Sequence, residues 1–123
     1  MFRRLITTSA LAATVLLVAV AVASARTEAM PALTGTVGPG FTISLKSNGK
    51  AVKTLKAGTY KFVIADKASI HDFSLQRGSG GPQVLTTVPF VGTKTALVTL
   101  KAGKYKYYCQ PHESSMFGFF TVK

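Results

Sequence analysis

The segment Tyr105–Lys123, with the sequence YKYYCQPHESSMFGFFTVK, contains the residues whose chemistry is most informative. It holds Cys109, the only cysteine of the chain, which therefore cannot form an internal disulfide. His112 follows three residues later, and Met116 follows four residues after that. A thiolate, an imidazole and a thioether in one short segment are ligands that soft transition metals accept.

A second histidine lies far from this segment in the sequence. His71 and His112 are the only two histidines of the chain, and His71 falls in a segment that we interpret as a strand. A β-sandwich can bring such a residue to the loop from the neighbouring sheet. Two histidines, a cysteine and a weak methionine are typical of a blue-copper electron-transfer site. We therefore predict that one copper ion is bound by His71, Cys109, His112 and Met116, with Glu113 or a backbone carbonyl as the alternative to Met116.

Alternation of apolar and polar residues predicts the strands that must position these ligands. In the strand that ends at Cys109, the side chains of Tyr105, Tyr107 and Cys109 share one face, which is expected to point inward. Gln110-Pro111 is expected to form a stiff turn that brings His112 back towards the cysteine. The predicted strands cover residues 33–37, 41–46, 59–66, 69–76, 94–100, 104–109 and 117–122.

The number and length of these strands indicate the fold class. No helical period follows the first 25 residues, and turn signals such as Asn48-Gly49 separate the strands. Six or seven short strands in a chain of this length predict an all-β, antiparallel sandwich or barrel. On the inward face we expect Tyr60, Phe62 and Ile64 in one strand, and Phe41 with its alternate neighbours in another.

The first 25 residues have the features of an export signal. Arg3 and Arg4 precede an apolar stretch, expected to be helical, that ends in the small residues Ala23-Ser24-Ala25. We expect cleavage after Ala25 and an exported, periplasmic or extracellular protein. The alternative is a membrane anchor, because Leu5–Ala25 is uncharged and long enough to span a bilayer. Residues 26–40 are interpreted as a linker or first short strand, and residues 41–123 as the metal-binding domain.

The charge balance limits the classes of partner. Residues 26–123 carry nine more basic than acidic side chains. Such an excess attracts nucleic acid, anionic membranes or acidic proteins. Nucleic acid is not expected, because the protein is expected to be exported and the lysines are scattered through strands. Lys46, Lys61, Lys104 and Lys106 alternate outward and either steer an acidic redox partner or form a solvated face.

Two stretches of the sequence resemble the ligand motifs of one family. These are HDF at His71 and YYCQPHESSMFGFFTV at Tyr107–Val122, which are similar to those of cupredoxins of the plastocyanin, pseudoazurin and amicyanin type. The resemblance covers about Leu33 to Lys123. It implies a Greek-key β-sandwich that binds one copper ion and carries single electrons between redox proteins as a monomer. By matching positions, the implied ligands are His71, Cys109, His112 and Met116.

Two features depart from the usual pattern of the family. The gap between His112 and Met116 is longer than in amicyanin-like loops and shorter than in plastocyanin-like loops, which leaves the copper–sulfur distance open. Asp72 follows His71 at a position where many members have a hydrogen-bond-donating asparagine. An ionised aspartate only accepts hydrogen bonds. We hypothesise that its negative charge lowers the reduction potential by favouring Cu(II).

Other functions remain as alternatives at this point. A copper scavenger or delivery protein would use the same ligands without shuttling electrons. An immunoglobulin-like adhesion module with a buried thiol predicts no metal at all. Zinc accepts thiolate and imidazole, but a thioether is a poor zinc ligand. We do not expect an enzyme, because two histidines cannot serve this site and a second catalytic centre, and no nucleophile motif is found.

Overall fold

The computed structural model describes residues 18–21 and 30–123, and residues 32–122 contain ten β-strands and one short 3₁₀ turn. The predicted signal segment lies largely outside the described residues. Among those that are described, no helix is long and apolar enough to cross a membrane. The 3₁₀ turn is Gln110–His112. The strands are β1 (Ala32–Val37), β2 (Ile43–Ser47), β3 (Lys50–Ala51), β4 (Thr54–Leu55), β5 (Gly58–Asp66), β6 (Phe73–Arg77), β7 (Gln83–Thr86), β8 (Gly92–Leu100), β9 (Gly103–Tyr108) and β10 (Phe117–Val122).

The strands form two five-stranded sheets that face each other. Their orders are β3-β2-β1-β5-β8 and β4-β10-β9-β6-β7. This confirms the predicted all-β sandwich, but the expectation of purely antiparallel pairing is wrong. β1 pairs in parallel with β5, and β10 pairs in parallel with β4. Parallel pairing is possible here because the chain passes through strands of both sheets before it returns beside its earlier partner.

The core lies between the sheets and follows the predicted alternation in β5. Tyr60, Phe62 and Ile64 are all buried, as expected. Phe41 is an exception, because it precedes β2 and is 60% exposed instead of facing the core. The other large, fully buried apolar side chains are Leu33, Leu45, Phe73, Leu75, Leu100 and Met116.

One end of the sandwich collects the loops that matter for the candidate site. The pairing of Val37 with Asp66, and of Asp66 with Gly92, places the ends of β1 and β5 and the start of β8 together. Phe73 at the start of β6 lies opposite Thr86 at the end of β7. We call this region the site end; its loops cover residues 38–42, 67–72, 87–91 and 109–116.

Candidate metal centre

Three side chains from two separate loops converge at the site end. The Nδ1 atoms of His71 and His112 are 3.1 Å apart. The Sγ atom of Cys109 lies 3.7 Å from the first nitrogen and 3.6 Å from the second. The three form a cluster in which each residue offers one metal-ligand atom. The structure therefore brings together three of the four residues predicted to bind metal.

The size of this triangle fits a metal ion. The point equidistant from the three atoms lies about 2.0 Å from each, close to the metal–nitrogen bonds of about 2.0–2.1 Å in proteins. Two imidazole nitrogens and one sulfur in a trigonal arrangement have the composition typical of a blue copper site. The residues present therefore fit such a metal without rearrangement of the backbone.

Cys109 and His112 are positioned by short-range hydrogen bonds within one loop. Cys109 follows the last residue of β9, and its backbone N–H donates to the carbonyl of Met116 (3.0 Å). The N–H of His112 donates to the carbonyl of Cys109 (3.2 Å), and Pro111 lies inside the 3₁₀ turn between them. Proline fixes its own φ, so this turn has few alternatives. We call residues 109–116 the ligand loop.

The environment of the Cys109 sulfur affects its ionisation. The residue is completely buried. Burial raises the pKa of the thiol, and hydrogen bonds from the backbone of Asp72 and His112 partly oppose this effect. A metal ligand must be the thiolate. Metal binding at this site is therefore expected to release the thiol proton and to strengthen as the pH rises.

Met116 closes the ligand loop. Its backbone N–H donates to the carbonyl of His112 (2.9 Å), its side chain is 1% exposed, and β10 begins at the next residue. These contacts place it in the loop that surrounds the cluster, and its role as an axial ligand stays a prediction. The Glu113 carboxylate forms an ion pair with Lys106 at 2.7 Å. That contact argues against Glu113 as the alternative ligand.

His71 reaches the cluster from a loop, not from the strand in which it was predicted. It lies two residues before β6, in a turn where its N–H donates to the carbonyl of Ala68 (3.4 Å). The pairing of β6 with its neighbours begins only at Phe73 and Ser74, so His71 lies outside the strand. Gly38 permits its close approach, because φ is +74° there and a Cβ atom would lie 3.1 Å from the ring.

Asp72 connects the His71 segment to the ligand loop. Its Oδ1 accepts a hydrogen bond from the backbone N–H of Gln110 (2.6 Å), and its Oδ2 accepts one from the side-chain amide of the same residue (2.8 Å). The hydroxyl of Ser74 also donates to Oδ2 (3.0 Å). The side chain at this position thus accepts, as the chemistry of an ionised aspartate predicts. It ties the two ligand-bearing segments together next to the cluster.

Asp66 is a buried acidic residue that the sequence interpretation missed. Its Oδ1 accepts a hydrogen bond from the N–H of Ala68 (3.4 Å), the residue whose carbonyl holds His71. Burial raises the pKa of its carboxyl, while the nearby hydroxyl of Thr86 opposes the shift. Thr86 Oγ1 in turn accepts from the N–H of Phe73 (3.0 Å). Asp66 continues the inward face of β5, and a charged residue on a buried face was the signal available in the sequence.

Two buried polar atoms lack a partner in the described part of the chain. They are Oδ2 of Asp66 and Nε2 of His71. With Nδ1 directed at the cluster, Nε2 carries the ring proton, and a metal-bound histidine normally donates that proton to a carboxylate, a carbonyl or a water. The carboxylate of Asp66 interacts electrostatically with His71. No hydrogen bond joins Asp66 to Nε2 here, so a role for Asp66 in orienting the ring stays a prediction.

Phe41 covers the cluster on its outer side and was also missed. Its ring meets the ring of His71 edge-on at a centroid distance of 5.5 Å and that of His112 at 4.9 Å. His112 is half-buried, whereas His71 and Cys109 are fully buried. His112 and Phe41 thus lie between the cluster and the surface of the protein. No feature of the sequence around Phe41 distinguishes this position from a core strand residue.

Comparison with known proteins agrees with this architecture. No protein-family model matches the sequence, and no curated protein matches it. Among solved structures, the copper protein rusticyanin is similar with a TM-score of 0.56 and 21% identity, over 75% of this chain and 76% of that chain. A structure of reduced rusticyanin is similar with a TM-score of 0.51 and 24% identity, over 75% of this chain and 78% of that chain. The chain has the cupredoxin fold.

Proposed function

We propose that this protein binds one copper ion and carries single electrons outside the cytoplasm. The observation that carries the proposal is the convergence of one cysteine sulfur and two histidine nitrogens on a point about 2.0 Å from each. This is the donor set and the spacing of a blue copper site. His71, Cys109 and His112 would hold the ion, and Met116 would supply the weak axial contact.

Copper bound there would supply a one-electron couple between Cu(II) and Cu(I). The protein's part is to keep the ligands still when the charge changes. Hydrogen bonds within residues 109–116 hold two of the ligands, and Asp72 links that loop to the segment that carries His71. Burial of Cys109 and His71 keeps water from the thiolate. A site with little freedom to move suits rapid electron transfer.

Electrons are proposed to enter and leave through His112. It is the only residue of the cluster that is not fully buried, and exposed apolar side chains lie at the same end of the sandwich. A redox partner that packs on this apolar surface would approach the ring edge of His112 directly. The exposed apolar residues are Phe41 (60%), Ile70 (51%), Val88 (37%) and Val91 (58%). We propose a protein partner there, which packs on this apolar surface around the exposed edge of His112.

Burial of the cluster favours an electron carrier over a copper delivery protein. Handing a copper ion to another protein requires that the ligands be reached and exchanged, and two of the three are inaccessible. An electron needs only the exposed edge of His112. The two functions are distinguished by voltammetry of the copper-loaded protein beside copper transfer to a competing chelator. A reversible one-electron wave with slow copper loss supports the carrier, and fast loss with no wave supports delivery.

Export remains part of this proposal. It rests on the signal-like sequence of residues 1–25, and Ala25 is the expected cleavage position. Cell fractionation with N-terminal sequencing tests it. A mature chain that begins at Arg26 is expected, and an intact chain in the membrane fraction would indicate an anchor. No enzymatic reaction is proposed, since the exposed part of the site is one imidazole edge.

A further inference from the structure

Six of the twelve lysines and arginines of the described residues lie at the end opposite the candidate metal centre. Backbone hydrogen bonds bring four segments together there. The N–H of Thr121 donates to the carbonyl of Lys53, and the N–H of Ala57 donates to the carbonyl of Lys123. The N–H of Gly78 donates to the carbonyl of Lys104. We call this region the basic end. All its cationic residues are exposed, and they are Lys53, Lys56, Arg77, Lys101, Lys104 and Lys123.

Acidic side chains do not balance this charge. Among the described residues, Asp66 and Asp72 are buried near the metal centre, and Glu113 is paired with Lys106 beside the ligand loop. The side chain of Arg77 is held in place, because its guanidinium donates to the carbonyl of Ala102. The charged side chains of the basic end are therefore all positive, and their field reaches about 8–10 Å into physiological salt.

This placement is poorly suited to steering a partner to His112. An acidic protein drawn to the basic end would dock at the far end of the sandwich from the exposed imidazole. The positive surface and the electron route thus point in opposite directions. A different anionic surface, one that needs no access to the metal centre, fits the basic end better.

The path of the chain suggests what that surface is. β1 runs parallel to β5, with Ala32 beside Lys61 and the carbonyl of Pro31 accepting from the N–H of Lys61 (2.9 Å). Because β5 begins at the basic end with Gly58, the chain enters β1 from that end. In the sequence, an uncharged apolar segment, Leu5–Ala25, precedes it. The chain that leads from that segment therefore reaches the domain at the basic end.

We propose that the basic end docks on anionic lipid headgroups and holds the domain with its metal centre directed away from the membrane. Lysines near a bilayer each add to the attraction of an anionic surface, and several acting together give reversible binding. The docked domain would present Phe41 and His112 to partners in solution. This docking does not depend on copper, so it stands or fails separately from the proposed electron transfer.

Vesicle binding by the protein recovered from expression of the full chain tests the proposal. Sedimentation with phosphatidylcholine vesicles is compared with sedimentation with vesicles that also contain phosphatidylglycerol, at low and physiological salt. The basic-end variant carries Lys53→Glu, Lys56→Glu and Lys101→Glu. The matched control makes the same charge change on exposed lysines elsewhere, with Lys46→Glu, Lys67→Glu and Lys94→Glu.

We expect at least tenfold stronger partitioning to the anionic vesicles, reduced at least tenfold in the basic-end variant and much less in the control. Equal losses in the two variants would show that only net charge matters and would overturn the proposal. Equal binding to neutral vesicles would overturn it too, because that result indicates insertion of an apolar segment. The proposal would also be overturned if the protein failed to bind either kind of vesicle but bound polyglutamate-coated beads through the basic end.

Discussion

The two segments that supply the metal ligands are built in different ways. The ligand loop, residues 109–116, holds Cys109 and His112 through backbone hydrogen bonds between near neighbours and a proline-containing turn. The segment from Asp66 to Asp72 also has near-neighbour hydrogen bonds, from Ala68 to Asp66 and from His71 to Ala68, but its ligand His71 is completely buried inside the sandwich. The two segments therefore differ in burial: the ligand loop lies at the surface, whereas His71 is enclosed by the assembled sandwich.

Because of this difference, one segment makes the metal centre accessible to a partner and the other shields it from solvent. The locally built loop lies at the surface and exposes the edge of His112, so it is suited to contact with a partner. The buried segment contributes a ligand that solvent cannot reach. Asp72 is the bridge between the two, because its carboxylate accepts both hydrogen bonds from Gln110.

The largest expected effect comes from removal of the Cys109 sulfur, which lies 3.7 Å from Nδ1 of His71 and 3.6 Å from Nδ1 of His112. Cys109→Ser removes the thiolate, so the copper-loaded protein should lose its intense visible absorption completely. Ser114→Ala, an exposed change in the same loop, is the matched control and should keep it. Spectra and copper content of the two variants check this. A serine variant that stays blue would show that the chromophore lies elsewhere.

The contrast in access predicts opposite responses of the two histidines. His112→Gly opens a gap at the surface, so added imidazole should enter and restore most of the visible band. His71→Gly leaves a cavity in the interior, where the residue it replaces is completely buried, and imidazole should restore little. Titration of both copper-loaded variants with imidazole measures this. Equal rescue of the two variants would show that the two segments do not differ in solvent access.

Removal of the Asp66 charge should weaken copper binding through an effect on His71 alone. Partners of metal-bound histidines typically contribute about 10–100-fold to metal affinity, so Asp66→Asn is expected to bind copper that much more weakly. Competition with a chelator of known affinity measures it, and Thr86→Val tests the neighbouring hydroxyl in the same way. Unchanged affinity in both variants would remove Asp66 from the site.

The same variant has a second expected effect, on the metal-free domain. Burial raises the pKa of Asp66 above its ordinary value of 3.8, so its contribution to stability is greatest below that value and is lost as the pH rises through the folded-state pKa. Asp66→Asn cannot ionise and should therefore be more stable than the parent at pH 7. Urea unfolding at neutral and acidic pH checks that the advantage disappears in acid.

Asp72→Asn tests the bridge between the segments. Loss of the negative charge beside the ligands should raise the reduction potential, because Cu(II) is no longer favoured to the same degree. The bond with the Gln110 N–H should survive, since an amide oxygen also accepts. A redox titration with the Asp72→Ala variant alongside separates charge from geometry. A potential that does not rise in the asparagine variant would contradict our hypothesis.

The smallest effect is expected at the surface of the ligand loop. Lys106→Gln breaks the exposed ion pair with Glu113 and should change the free energy of unfolding by less than about 1 kcal/mol. The visible spectrum should be unaffected, because the pair does not touch the cluster. Unfolding curves at low and high salt measure it. A large loss of stability would mean that the pair organises the ligand loop.

The ligand loop could be predicted from the sequence because its spacing is local. Cys109, His112 and Met116 lie within eight residues, and an alternating strand places the first of them. The strand faces of β5 were predicted for the same reason. His71 was identified by its residue type, but its position in a turn was not, since that turn depends on Ala68, Gly38 and buried Asp66. Phe41 and the parallel pairing of β1 arise only when distant segments meet.

The most direct test of the account is anomalous diffraction at the copper edge from crystals of the copper-loaded protein. The account predicts one strong peak, about 2.0 Å from the Nδ1 atoms of residues 71 and 112 and close to the sulfur of residue 109. A copper ion bound only at surface residues, with no peak inside that triangle, would contradict it.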